Sequence, residues 1–370
     1  MSAEEGTPPG SAAEQEPPQV LLDMLAAAGP SGFESSPARV WLEAAAEFAE
    51  VQSDLIGTPM ALVQPRHGEE EGARRLMVMG HIDEIGLIVT HIDDEGYLWF
   101  REVGGWDAQI LVGQRVVLDT ASGPVRGVVG KKPVHLLRDE ERKKIAEIRD
   151  LHIDIGARDG EQARAMVRAG DVGVIDAEPL RLPNGRLASR ALDNRLGSYV
   201  ALEAARLVAQ AGGAGWQLAA VAAVQEETTF GGSRTSAFSL EPHAAIAVDV
   251  THATDAPGID VKEVGGKHEL GSGAVIARGS TLHPRVSDLL IETAEAEGIP
   301  YTIEVSGRAT GTDADAIHLS RGGVPTGLIS IPLRYMHSPV ELVALADVQA
   351  CAQLIAAFAQ RLDGETSFAR

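Results

Sequence analysis

The rhythm of apolar and polar positions changes twice along the chain. Residues 19–29 and 36–48 repeat apolar positions at helical spacing. Leu21, Leu22 and Leu25 form one face of the first, and Pro37 suits the first turn of the second. The continuous run Leu76-Met77-Val78-Met79-Gly80 then reads as a buried strand leading to His81. From about residue 87 to 174 the pattern becomes short and alternating. Residues 87–92 and 97–102 flank Asp93-Asp94-Glu95-Gly96, and residues 115–118 and 125–129 flank Ala121-Ser122-Gly123-Pro124; both are hairpin signals. Residues 151–155 alternate, and only residues 161–168 have helical spacing in this stretch. Short strands with turn residues between them predict a small β-barrel or PDZ-like unit.

After Asn184-Gly185 the first rhythm returns. Helices are expected over residues 198–210, 287–297, 315–321 and 342–361, and strands over 216–224, 244–248 and 301–305. The predicted fold is α/β, a mixed sheet flanked by helices, built from residues 19–86 and 175–370 and interrupted by a β insert over 87–174. No internal repeat is present. Residues 1–18, rich in Ala, Glu, Gly, Pro and Ser, lack the basic start and apolar stretch of a signal peptide and are expected to form a disordered tail.

Composition narrows the function. At 370 residues the chain is too long for one ordinary core, which agrees with a main domain plus an insert. No run of about 18 apolar residues exists, so no membrane span is expected. A formal net charge of -21 disfavours nucleic acid and gives a field that concentrates cations, metal ions and peptide amino termini among them. A single cysteine, Cys351, excludes internal disulfides and cysteine-based zinc sites; it fits a reducing, cytoplasmic compartment. Any metal must therefore sit on His, Asp and Glu.

Those residue types stand where predicted strands end. His81 and Asp83 follow the first buried run, Glu226 and Glu227 the second, Asp249 the third, and His337 lies just past the run at 328–331. In open α/β sheets ligands bind beyond the carboxyl ends of the strands. Hydrolases with paired metals hold two ions about 3.5–4 Å apart around a shared water, which takes about five ligands and a general base. His81, Glu227, Asp249 and His337 are candidates for four, and Asp193 in Ala191-Leu192-Asp193-Asn194-Arg195 is placed to serve as a fifth that bridges both ions. Asp83, two residues from His81, suits the acceptor that a ligating imidazole needs on its other nitrogen.

Seven stretches carry a family resemblance: His81-Ile82-Asp83-Glu84-Ile85-Gly86, Gly104-Gly105-Trp106-Asp107, Ala191 to Arg195, Gln225-Glu226-Glu227, Asp249-Val250-Thr251-His252, Gly311-Thr312-Asp313-Ala314, and Arg334-Tyr335-Met336-His337-Ser338-Pro339. In this order the chain resembles the tetrahedral or glutamyl aminopeptidases, metallopeptidase family forty-two, some of whose members carry an endoglucanase label. The resemblance runs from about residue 19 to 362. It implies that Asp193 bridges two ions, with His81 and Asp249 completing one and Glu227 and His337 the other. It implies Glu226 as the general base, Asp83 as support for His81, and a cis peptide between Asp193 and Asn194. It further implies two divalent ions, zinc or else cobalt or manganese, short peptide substrates, and dimers formed through the β insert that assemble into a dodecamer.

Thr228-Thr229-Phe230-Gly231-Gly232-Ser233 departs from the Val-Gly-Leu-Arg-Gly-Ala-like stretch common in that family, which bears on substrate fit rather than on metal binding. Asp313 and Asp315 either line the substrate pocket, the favoured expectation, or only cap the next helix, and Gly104-Gly105 is expected to mark a turn. Lys131, Lys132, Arg308 and Arg334 are the cations that could meet an acidic substrate side chain. The remaining histidines read as structural. A deacylase or carboxypeptidase using the same metal pair is the nearest alternative activity. A glycosidase is a poorer one, because its two carboxyls must stand about 5–9.5 Å apart across the sugar bond.

Overall fold

A computed structural model describes residues 16–67 and 72–369; the expected tail lies outside the described residues except for residues 16–18. The centre is an eight-stranded mixed sheet in the order Glu50–Ser53, Pro59–Val63, Gln217–Ala223, Arg75–His81, Ala244–His252, Thr326–Leu333, Ala274–Gly279, Tyr301–Ser306. The middle four strands are parallel, so their carboxyl ends share one edge. Side chains alternate between faces, as a strand requires. Leu76 and Val78 enter the core under the Leu192–Gln210 and Leu345–Gln360 helices, whereas Met77 and Met79 enter the one opposite, with Ala237 and Ile317.

Six further strands close a barrel in the order Gly86–Ile92, Leu98–Val103, His152–Asp154, Val125–Gly130, Arg115–Asp119, Val172–Ile175. Leu87, Val89, Phe100, Val116 and Ile153 fill it. Leu180–Leu182, Arg186–Ser189 and Glu341–Ala344 form a small third sheet.

The closing helix predicted over 342–361 is part strand. Leu342 and Val343 pair with Ala188 and Leu187, and the helix begins only at Leu345. Leu-Val-Ala fits either period, and the partner strand decides. The helix predicted over 315–321 is a single turn, Ala314–Ile317. The one predicted over 198–210 starts earlier, at Leu192, with Asp193 and Asn194 out of helical geometry.

Candidate active site

Register and one close approach assemble the site. Ala223 pairs with His81, bringing the Glu226-Glu227 turn beside it. Ala247 pairs with Met79, so continuing that register by two residues sets Asp249 beside His81. Gly80 lets the 192–210 helix descend onto the strand end: a Cβ there would lie 2.1 Å from the Gly197 carbonyl carbon. Asn194 then donates through Nδ2 to the Val248 carbonyl (2.8 Å) and accepts from Gly197 N (2.8 Å), which fixes the helix start and with it Asp193. The Asp193–Asn194 peptide is cis, as the resemblance implied.

Asp193 sends its two oxygens to different partners. Oδ1 is 3.3 Å from His81 Nε2, and Oδ2 is 3.4 Å from His337 Nε2. Glu227 Oε1 is also 3.4 Å from His337 Nε2, and Asp249 Oδ1 is 4.0 Å from His81 Nε2. Three donor triads result: His81-Asp193-Asp249 and Asp193-Glu227-His337, which share Asp193, and His81-Glu226-Glu227. Charge-assisted hydrogen bonds are shorter, about 2.7–2.9 Å. Donors about 2.0–2.2 Å from a tetrahedral ion stand roughly 3.3–3.6 Å apart. The separations that Asp193 and Glu227 make with the two histidines are therefore those of ligands around a cation, with Asp249 somewhat farther from His81, and the residues present fit a metal.

The sequence-predicted residues thus converge, and neighbours hold them. Asp83 lies 3.2 Å from His81 Nδ1 and accepts the backbone N–H groups of Glu226 and Glu227, both at 3.1 Å. One buried carboxylate orients the imidazole and clamps the glutamate pair. Glu226 Oε2 is 3.6 Å from His81 Nε2, at the edge of the cluster.

Three contributors escaped sequence reasoning. Glu341, 2% exposed, accepts from Asp193 N and His337 N, each at 3.0 Å. Glu34 accepts from Gln225 N at 3.0 Å, at the left-handed residue that precedes Glu226. The Gly105 carbonyl accepts from His337 Nδ1 at 2.8 Å, so Gly104-Gly105 is more than a turn. A Glu four residues after a metal-type His was the available signal for Glu341, and it was masked by the helical reading of 342–361.

Asp313 and Asp315 do not line the cavity. Asp313 is buried behind it. Asp315 instead braces the loop by accepting from Thr281 Oγ1, Thr310 N and Gly311 N. Thr228 and Phe230, in the departing stretch, do line it.

Electrostatics follow from crowding carboxylates out of water. Burial pushes the Glu226 carboxyl up to about 10, with His81 opposing and Asp249, Asp313 and Glu227 adding to the rise. Burial raises Asp249 as well. Burial alone would raise Asp193, but His337 and His81 outweigh it and hold the group well below the usual carboxylate range. Hydrogen bonds to Asp193 and Glu227 lift His337 to about 11. A cation among these groups would offset their mutual repulsion.

Residues 61–354 match the family described as M42 glutamyl aminopeptidase. A lysyl aminopeptidase of Pyrococcus furiosus is 37% identical over 316 residues, 85% of this chain and 87% of that one. A TET aminopeptidase from a marine sediment archaeon superposes with a TM-score of 0.86 at 34% identity, covering 94% of this chain and 97% of the other. The PhTET1 dodecamer subunit does so with a TM-score of 0.79 at 31% identity, over 93% and 99%. The chain belongs to the M42 glutamyl aminopeptidase family and is a metal-dependent aminopeptidase.

Proposed function

We propose that this aminopeptidase removes the N-terminal residue of short peptides at a pair of divalent ions. One observation carries the reading: the two carboxylate oxygens of Asp193 face two separate donor sets. His81 and Asp249 complete the first, and His337 and Glu227 the second. Imidazole and carboxylate donors suit zinc, with cobalt and manganese next. When bound, the ions supply Lewis-acid activation of water and of the peptide carbonyl.

The chain's own residues do the rest. Glu226 Oε2 takes the proton from the attacking water and returns it to the leaving amine. Glu226 has its carboxyl raised by burial, and cations held by the neighbouring donors would lower it to where it can accept that proton. Asp83 keeps His81 and the glutamate pair aligned. The donors line a cavity of about 510 Å³, room for one side chain and the start of a peptide.

The division into a main domain, 19–86 and 175–370, and an insert, 87–174, agrees with the separate barrel core. The chain forms dimers through that insert, six of which build a dodecamer; the dodecamer named for the PhTET1 relative supports the number of subunits. Tyr97, Trp99 and Val128, exposed on the barrel, are candidate interface material; Trp106 is half-buried and donates to the Gly86 carbonyl. A cytoplasmic location accords with the lone buried cysteine; among the described residues no helix is long and apolar enough to cross a membrane.

The test is chelation. Enzyme stripped of metal should release no N-terminal residue from a tripeptide, and adding zinc, cobalt or manganese should restore release. Release that persists after metal removal would defeat the reading.

A further inference from the structure

Beyond the ligand cluster the cavity is walled by Phe230, Thr251, Thr310, Thr312 and Met336, and by one more carboxylate, Glu304. Glu304 comes from the edge strand Tyr301–Ser306, which supplies none of the metal-site residues. Its Oε1 accepts from Thr251 Oγ1 at 3.1 Å, and Thr251 lies two residues beyond Asp249 on the strand Ala244–His252, which the strands Thr326–Leu333 and Ala274–Gly279 separate from that of Glu304 in the sheet order. Among the described residues no lysine or arginine lines this cavity. The cations that could have served an acidic substrate are elsewhere. Arg334 is held by both oxygens of Asp255, at 3.0 and 2.6 Å, and Lys131, Lys132 and Arg308 are exposed and outside the lining.

We propose that Glu304 sets the side-chain preference of the enzyme, selecting peptides that begin with lysine or arginine. The inference rests on the aminopeptidase reading and deepens it. A long cationic side chain entering the cavity brings its charge to a carboxylate that has one hydroxyl donor and no counter-ion. Burial raises the Glu304 carboxyl, with only the Thr251 hydrogen bond opposing, so an incoming cation relieves a group that the protein itself leaves uncompensated. Charge-assisted hydrogen bonds are about twice as strong as neutral ones. An acidic side chain, the preference in the family's description, meets like charge here, with His252 but no lysine or arginine in the lining to answer it.

Kinetics on a set of aminoacyl-p-nitroanilides decide the matter: lysyl, arginyl, norleucyl, leucyl and glutamyl, with enzyme loaded in turn with zinc, cobalt and manganese. The norleucyl compound keeps the lysine stem without its charge. Wild-type enzyme should show kcat/KM at least tenfold higher for lysyl and arginyl than for norleucyl and glutamyl. Glu304→Gln should cut the lysyl-to-norleucyl ratio by tenfold or more, and Glu304→Lys should reverse the order of lysyl and glutamyl. A ratio of selectivities cannot be moved by a merely weakened fold. Wild-type preference for glutamyl or norleucyl, or a ratio indifferent to Glu304→Gln, overturns the role of Glu304 and leaves the aminopeptidase standing. Release from no member of the set, with any of the three metals, overturns the aminopeptidase reading and this inference with it.

Discussion

His337 Nδ1 stands 2.8 Å from the carbonyl oxygen of Gly105, across 232 residues of sequence. Gly105 follows the barrel strand Leu98–Val103, so barrel-side backbone aims a side chain of the main sheet's edge. The carbonyl can only accept, which places the proton on Nδ1 and frees Nε2 to face Asp193 and Glu227. Ligating histidines commonly donate their other N–H in this way.

Gly104 makes that approach possible. Its φ is +74°, and a Cβ would lie 2.6 Å from Ile85 Cγ2 and 3.2 Å from Glu227 Oε2. Gly104→Ala should cost about 1–2 kcal/mol of stability for the left-handed backbone. It should also lower kcat/KM by roughly tenfold to a hundredfold, because it displaces Glu227, a proposed ligand, as well. Urea denaturation and steady-state kinetics on the same preparation check both numbers; activity within twofold of wild type would contradict the link.

Glu341 ties the backbone of Asp193 to that of His337. In Glu341→Gln an amide NH₂ replaces one acceptor and confronts an N–H. Metal affinity should fall by about 10–100-fold, the usual worth of a partner behind the ligands. Titrating metal-free enzyme with zinc should show the weaker binding, and excess zinc should recover part of the activity. Unchanged affinity would reduce Glu341 to a structural residue.

The fold rests on a buried charge cluster beside the site. Glu84 Oε1 is 2.8 Å from Arg195 Nη2 and accepts from Gly29 N at 3.1 Å, while Arg190 pairs with its other oxygen. Arg195 is fully buried, and burial brings its guanidinium down to about 10. Glu84→Gln leaves two arginines without their carboxylate and should cost about 3–5 kcal/mol. A urea midpoint moved by an amount worth less than about 1 kcal/mol would show that the arginines' carbonyl partners suffice.

Much of this was legible in the sequence because strand ends are local. His81, Glu226, Glu227 and Asp249 each follow an apolar run, and the runs are parallel neighbours in the sheet. Asp193 stands at a helix start and His337 a few residues past its strand, Thr326–Leu333, so both were less direct to read than a residue that closes a strand. Glu341 and Gly105 act through backbone groups of residues far away in sequence, which leaves no periodicity to read. The strands Glu50–Ser53, Pro59–Val63 and Ala274–Gly279 were missed: the first is mostly exposed, and the other two carry few side chains that alternate in polarity.

The proposed assembly draws on the exposed apolar residues of the barrel, Tyr97, Trp99 and Val128. Light scattering at working concentration should report a particle of about twelve chains, and Trp99→Glu should shift it toward smaller species by putting a charge into the interface. A wild-type monomer would contradict the proposed dodecamer.

The division of labour between Glu226 and Glu227 is the central claim, and two isosteric substitutions test it. Glu226→Gln keeps the shape and removes the proton acceptor. Both metals should stay bound and kcat should fall by roughly 10²–10⁴, the range of general acid–base catalysis. Glu227→Gln should instead lose one ion per subunit and regain activity as metal is added in excess. Metal content and kcat, measured together on both variants, decide: a Glu226→Gln enzyme that loses metal beside a Glu227→Gln enzyme that keeps both would reverse the roles.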